Sequence, residues 1–288
     1  MRNLAAGLLL GVVSSTNLRS DNLGDIWDES MGMQDQDVCS DPKARWAHSS
    51  NSWDTYKKAY QGTDAWVDTE FTADMNSIYS AAYPPQNNRG AQYDKQVVGW
   101  KRPKDIYPGE KVHYKGKLGE FAPAGIKQGS IADCWFLATV TAIAEHPPRL
   151  HKNFHKNNRF GYSPNGIFRY FFWINGEWVP INIDDQLPVQ YMYTNSKDYF
   201  KPFSADRSNF GAWWMPLFEK AYAKFVGNYD RLEWGWSYES LRQLTEKPVF
   251  FYEHKKIKKH EGDEYALFQR LARENHPMVI SCCQVPKG

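Results

Sequence analysis

Gly166 to Pro188 reads GIFRYFFWINGEWVPINIDDQLP. Two apolar, aromatic-rich runs flank Asn175-Gly176, a dipeptide that accepts the backbone angles of a tight two-residue turn. A chain with this stretch is expected to build an antiparallel hairpin and bury part of it. Helical patterns lie on either side. Asp133 followed by CWFLATVTAIAEH reads as a helix with an aspartate N-cap, stopped by Pro147-Pro148. Apolar residues fill nearly every position from Cys134 to Ala144, so this helix should be covered on most sides. Trp213 to Val226 sets aromatics and small residues at helical spacing and is closed by Gly227-Asn228. Further helices are expected at 53–60 and 264–275, and extended segments at VVGWKRP and 278–282.

Aromatic residues reach 16% of the chain, enough to fill a large core and to argue against global disorder. The stretch from Asp21 to Asp41 is the exception: it holds seven acidic residues and no lysine or arginine, and is expected to lie loosely. Pro84-Pro85 and Asn87 to Gly90 read as an exposed loop. The net charge of +2 supplies no field for a polyanion, so nucleic acid is excluded as the expected partner. The basic run KKIKKH at 255–260 reads as a solvated face.

The cysteines are Cys39, Cys134, Cys282 and Cys283. They form no CxxC pair, and the adjacent two are poorly placed to bridge each other. A chain this long with so few cysteines suits a reducing, cytoplasmic compartment. One feature points the other way. MRNLAAGLLLGVVSS has an arginine, an apolar run over 4–13 and then small polar residues, the shape of a secretory signal, which makes secretion the alternative. It is too short to span a bilayer as a helix, and no transmembrane segment is expected.

Cys134 carries the chemistry. Free cysteine is ordinarily a buried hydrophobe, but this one follows directly on a proposed N-cap. A thiol attacks carbonyls as thiolate, and a helix N-terminus lowers the thiol pKa. The same unpaired N–H groups can stabilise the oxyanion that forms on addition. Gln128, six residues earlier in QGSIADCWFLA, offers a side-chain amide for that oxygen, and Gly125 and Gly129 would let the loop approach closely.

QGSIADCWFLA resembles the active-site segment of the calpain family, a glutamine followed by a Gly-Asp-Cys-Trp core. GWKRP at 99–103, the stretch at 166–188 and FEKAYAKFVGNY at 218–229 resemble calpain segments in the same order, from Trp66 to Cys282. The resemblance implies an α+β, papain-like cysteine protease core: a helical first subdomain with the cysteine, a β-rich second subdomain with a histidine and an asparagine, and a cleft between them. On this reading 1–60 is a partly disordered N-terminal segment, 61–235 the first subdomain and 236–288 an incomplete second one. It implies Cys134 as nucleophile, Gln128 as oxyanion donor, Trp135 as buttress, protein substrates, and room for regulatory C-terminal domains outside this chain. No organic cofactor is implied.

The sequence departs from the family at three points. Ala132 stands where glycine is preferred. The family's histidine and asparagine would follow the strand at 278–282, so the chain is expected to be part of a longer product and inactive alone, with an inactive regulatory or scaffold relative as the alternative. His276 precedes that strand and reads as a turn residue; His254 and His260 read as solvated, and His146, His151 and His155 as structural or solvated, with a metal-binding face as the alternative. Calcium is the implied ion. Glu219 matches one family ligand, but Gly125 replaces the aspartate that would be another, which weakens the expectation. Paired aspartates Asp184-Asp185 beside Trp173, Trp178, Trp213, Trp214, Trp234 and Trp236 raise a carbohydrate cleft as a rival. Adjacent strand residues point to opposite sides, however, and the pair reads better as a turn.

Overall fold

Three small sheets and a set of helices make up the computed structural model. It describes residues 8–13, 49–79, 93, 95–115, 121, 123, 126–193, 199–207, 211–253, 264–274 and 278–282. The stretches 21–41 and 84–90, Gly125, the basic run at 255–260, His254, His276, Cys39 and Cys283 lie outside these residues. In chain order the strands are β1 (Leu8–Val13), β2 (Gly99–Lys101), β3 (Ile167–Ile174), β4 (Glu177–Asp184), β5 (Leu187–Met192), β6 (Tyr199–Pro202), β7 (Val249–Glu253) and β8 (Met278–Cys282). The main helices are α1 (Trp53–Gln61), α2 (Cys134–Ala144), α3 (Trp214–Val226), α4 (Ser237–Thr245) and α5 (Glu264–Arg273).

The hairpin forms as its turn dipeptide dictates. β3 and β4 pair with Trp173 opposite Trp178 and Ile174 opposite Glu177. Asn175 (φ 48°) and Gly176 (φ 85°) both take left-handed angles, the pair of angles whose twist matches the strands they join. Phe168, Tyr170, Phe172, Ile181 and Ile183 are fully buried under it. Helix α3 lies across this face, and Phe218 stacks on Phe154 and Phe172 at ring separations of 4.9 and 5.6 Å. β2, β5 and β6 form an antiparallel sheet in the order β2-β5-β6. α2 ends at Ala144, and Pro147 opens a 3-10 turn over Pro147–Asn153, as the double proline predicts.

Residues 8–13 of the signal-shaped segment form a strand. β1 is the middle of a sheet ordered β7-β1-β8, antiparallel to both neighbours, with Leu10 opposite Tyr252 on one side and Ile280 on the other. Leucine and valine suit a strand paired along both edges. This sheet packs against α2 and α4. Among the described residues no helix is long and apolar enough to cross a membrane.

Buried charges tie the layers together. Lys224 on α3 donates to Ser50 Oγ at 3.0 Å, Asp68 Oδ2 at 2.6 Å and the Asn182 carbonyl at 2.8 Å. Arg169 on β3 donates to the Asn51 carbonyl and to Asn182 Oδ1, and Asn165 donates to the carbonyls of Ala59 and Gly62. Residues 49–68 are thereby fastened to the hairpin and α3, and residue 60 falls inside α1. Asp184 and Asp185 end β4 as structural acids. Asp184 pairs with Lys220 and accepts the Gln186 amide, and Asp185 pairs with Arg102 and Tyr162. The six tryptophans form no single strip: Trp213 and Trp214 are buried, and Trp173 and Trp178 pack on each other across the hairpin.

Candidate active site

Cys134 is the first residue of α2, and its side chain is exposed. The loop before it is held by its own side chains and by the 203–206 segment. Gln128 Nε2 donates to the Ile131 carbonyl at 2.8 Å. The Ser130 amide donates to the Phe203 carbonyl at 2.8 Å, and Ser130 Oγ meets Gln190. The Asp206 amide donates to the Lys127 carbonyl at 3.0 Å. Gly129 makes the close approach feasible, since a Cβ there would collide with the Ser204 backbone. Gln128 is exposed like Cys134. An amide nitrogen carries two N–H donors; the Ile131 carbonyl takes one and orients the group.

Asp133 occupies the N-cap position but does not cap. It has φ −104° and ψ 25°, its side chain makes no capping bond, and it is fully buried. The expectation of an aspartate cap is therefore corrected. The carboxyl turns inward to Glu219 on α3, a neighbour far away in sequence. Neither Asp133 oxygen has a donor at hydrogen-bonding geometry, nor does Glu219 Oε1, while Glu219 Oε2 accepts the Ala205 amide at 2.6 Å. Burial pushes the Asp133 carboxyl up to about 6, partly offset by Glu219 and Gln128 nearby. Burial, and then the Asp133 charge, raises Glu219 well above the usual carboxylate range. Protonating one member supplies the donor that both lack. With no side chain capping it, the positive end of α2 remains directed at the position of Cys134.

Trp135 buttresses the first turn. Its indole N–H donates to the Leu232 carbonyl at 2.6 Å, and its ring lies against Gly235. Ser237 Oγ donates to the Trp135 carbonyl at 3.1 Å, and the Trp234 amide donates to the Ala132 carbonyl at 3.3 Å. The segment 232–237 thus wraps the nucleophile's turn, a role that sequence reasoning missed. In the sequence, WGWS at 234–237 reads instead as a hinge between two bodies.

His146 and His155 serve elsewhere. His146 lies past the far end of α2, a helix of 11 residues, so the helix places it roughly 16 Å from Cys134. His155 packs on Tyr56 at 4.8 Å, and its Nδ1 accepts the Asn157 amide at 3.3 Å. Glu219 with Asp133 brings two carboxyls together, whereas calcium takes six to eight oxygens. Among the described residues no group of three His, Cys, Asp or Glu side chains could hold an ion.

Known proteins share this arrangement of segments. Residues 66–287 match the profile described as calpain family cysteine protease. Calpain clp-4 of Caenorhabditis elegans is 30% identical over 70% of this chain and 25% of its own length. Human calpain-14 is 34% identical over 62% of the chain and 23% of its own length, and rat calpain-13 is 36% identical over 51% and 20%. The chain spans about a quarter or less of these relatives. Its mixed helix-and-sheet architecture is consistent with the α+β papain-like core expected from the sequence, and the chain belongs to the calpain family of cysteine proteases.

Proposed function

We propose that this chain carries the nucleophile half of a calpain-type endopeptidase, in which Cys134 attacks a peptide carbonyl and is acylated. The observation that carries the reading is the exposed thiol at an uncapped helix N-terminus, with the Gln128 amide held on the adjoining loop. The thiolate sulfur adds to the carbonyl carbon, and the oxygen takes up the negative charge. The α2 N–H groups and the Gln128 side-chain amide are the donors for that oxygen. Collapse of the adduct expels the amine, which needs a proton from a general acid, and leaves a thioester that water hydrolyses. That acid and base is the family's histidine, oriented by its asparagine, and the reading places both outside this chain.

A peptide chloromethyl ketone tests the reading. It should alkylate Cys134 in the folded chain faster than in the urea-unfolded chain and leave Cys134→Ala unlabelled; equal rates folded and unfolded would remove the reading. Casein hydrolysis should be absent from the chain alone.

A second reading, a regulatory relative that keeps the shape without turnover, draws on one observation: His146 and His155 occupy other places. Restoring hydrolysis by fusing the histidine- and asparagine-bearing segment of a related calpain would decide against it. Calcium dependence belongs to the proposal only through the family. A fluorescence response of the tryptophans to millimolar calcium would show that further residues complete a site, and no response would remove it.

A further inference from the structure

We propose that Gln190 is a positioning residue for the oxyanion hole: through Ser130 it holds the loop that carries Gln128, and so sets the aim of the Gln128 amide. This rests on the endopeptidase reading of Cys134 and adds to it a residue that acts on the reaction at one remove.

Gln190 lies on β5, the middle strand of the β2-β5-β6 sheet, opposite Lys201 on β6. Its Nε2 donates to Ser130 Oγ at 2.9 Å and to the Pro202 carbonyl at 3.3 Å, which uses both N–H groups of the amide. The Ser130 hydroxyl also lies 3.1 Å from Gln190 Oε1, within reach to donate in return. The side chain is thus moored to its own sheet and grips the loop before Cys134.

The position of that grip is the second observation. Gln128 stands between two backbone clamps. On one side the Asp206 amide donates to the Lys127 carbonyl at 3.0 Å. On the other the Ser130 amide donates to the Phe203 carbonyl at 2.8 Å, and Gly129 presses on the Ser204 backbone. These contacts fix where the chain runs. The Gln128 amide itself is oriented by the Ile131 carbonyl at 2.8 Å, inside a turn of which Ser130 is a member. Ser130 is exposed, and Gln190 ties its hydroxyl to the sheet instead of leaving it to water. A donor aimed at developing charge works through its placement, and a displacement of about 1 Å can cost roughly 100-fold in rate.

The test uses the full chain and a peptide aldehyde, whose adduct with a thiol has a tetrahedral carbon and needs no leaving group. Affinity is measured by calorimetry, with the iodoacetamide rate at Cys134 reporting on the thiol and the urea midpoint on the fold. Gln190→Ala should weaken aldehyde binding roughly tenfold, a fraction of the effect of losing the donor itself, while both controls stay near the wild type. Ser130→Ala should match it, and Ser130→Thr, which keeps the hydroxyl, should bind like the wild type. In a Gln128→Ala background Gln190→Ala should cost nothing more, because the two act in series. Wild-type affinity in Gln190→Ala, or an equal loss with and without Gln128, would overturn the inference while leaving the endopeptidase reading intact. A wild-type chain that reacts with iodoacetamide but binds no aldehyde would overturn both.

Discussion

The indole of Trp135 lies directly against Gly235, so that a β-carbon at 235 would overlap the ring. The same indole donates to the Leu232 carbonyl, which fixes the ring within the 232–237 segment. Gly235→Ala should therefore push the ring or the loop aside and destabilise the chain by about 1–3 kcal/mol, as overpacking does. Urea unfolding checks this, and an unchanged midpoint would show that the loop yields freely.

Gln128 is predicted to stabilise a tetrahedral adduct without affecting the thiol. A peptide aldehyde adds to Cys134 as a hemithioacetal whose oxygen sits where the oxyanion would. Gln128→Ala should weaken aldehyde binding by roughly 100-fold, the usual effect of losing one such donor. Binding measured by fluorescence or calorimetry tests it. Equal affinities would mean that the amide is occupied fully by Ile131.

The buried Asp133–Glu219 pair gives stability a pH slope. Both carboxyls are raised in the folded chain, so folding favours their protonated forms. Their contribution is fully present below the unfolded carboxyl range, near pH 4, and is lost as pH rises through about 6 for Asp133. Glu219→Gln removes one charge and keeps a donor for Asp133. It should flatten this slope and raise stability at pH 7 relative to the wild type. Unfolding midpoints between pH 4 and 8 measure both effects.

Lys224 and Asp68 are almost wholly buried and paired at 2.6 Å. Lys224→Met would strand Asp68 without its charge partner, at a loss of about 3–5 kcal/mol. Adding Asp68→Leu should recover much of that loss, because two apolar residues replace both charges. Lack of recovery in the double variant would place the cost in the other Lys224 contacts, to Ser50 and Asn182.

The candidate site was only partly legible. Cys134 at a helix start and Gly129 in a close approach follow from short-range rules, and the structure places both so. The N-cap assignment of Asp133 misread the side chain, because capping propensity describes a solvated terminus. Here the carboxyl meets Glu219 across the core. Nothing in the spacing of FEKAYAK marks its lysines as interior, yet Lys220 and Lys224 lie one turn apart on α3 and pair with buried acids.

What the sequence determined by itself is the set of elements whose causes are local. The Asn175-Gly176 turn, the helix from Cys134 to the proline pair and the strand at 278–282 depend on torsional preferences and spacing within a few residues. Tertiary structure alone decided which charges are buried and against what. It also decided where Trp234 stands and that β1 sits between β7 and β8. Those outcomes depend on partners such as Asp68 and Lys224, 156 residues apart, and nothing in the local pattern of either residue specifies the other.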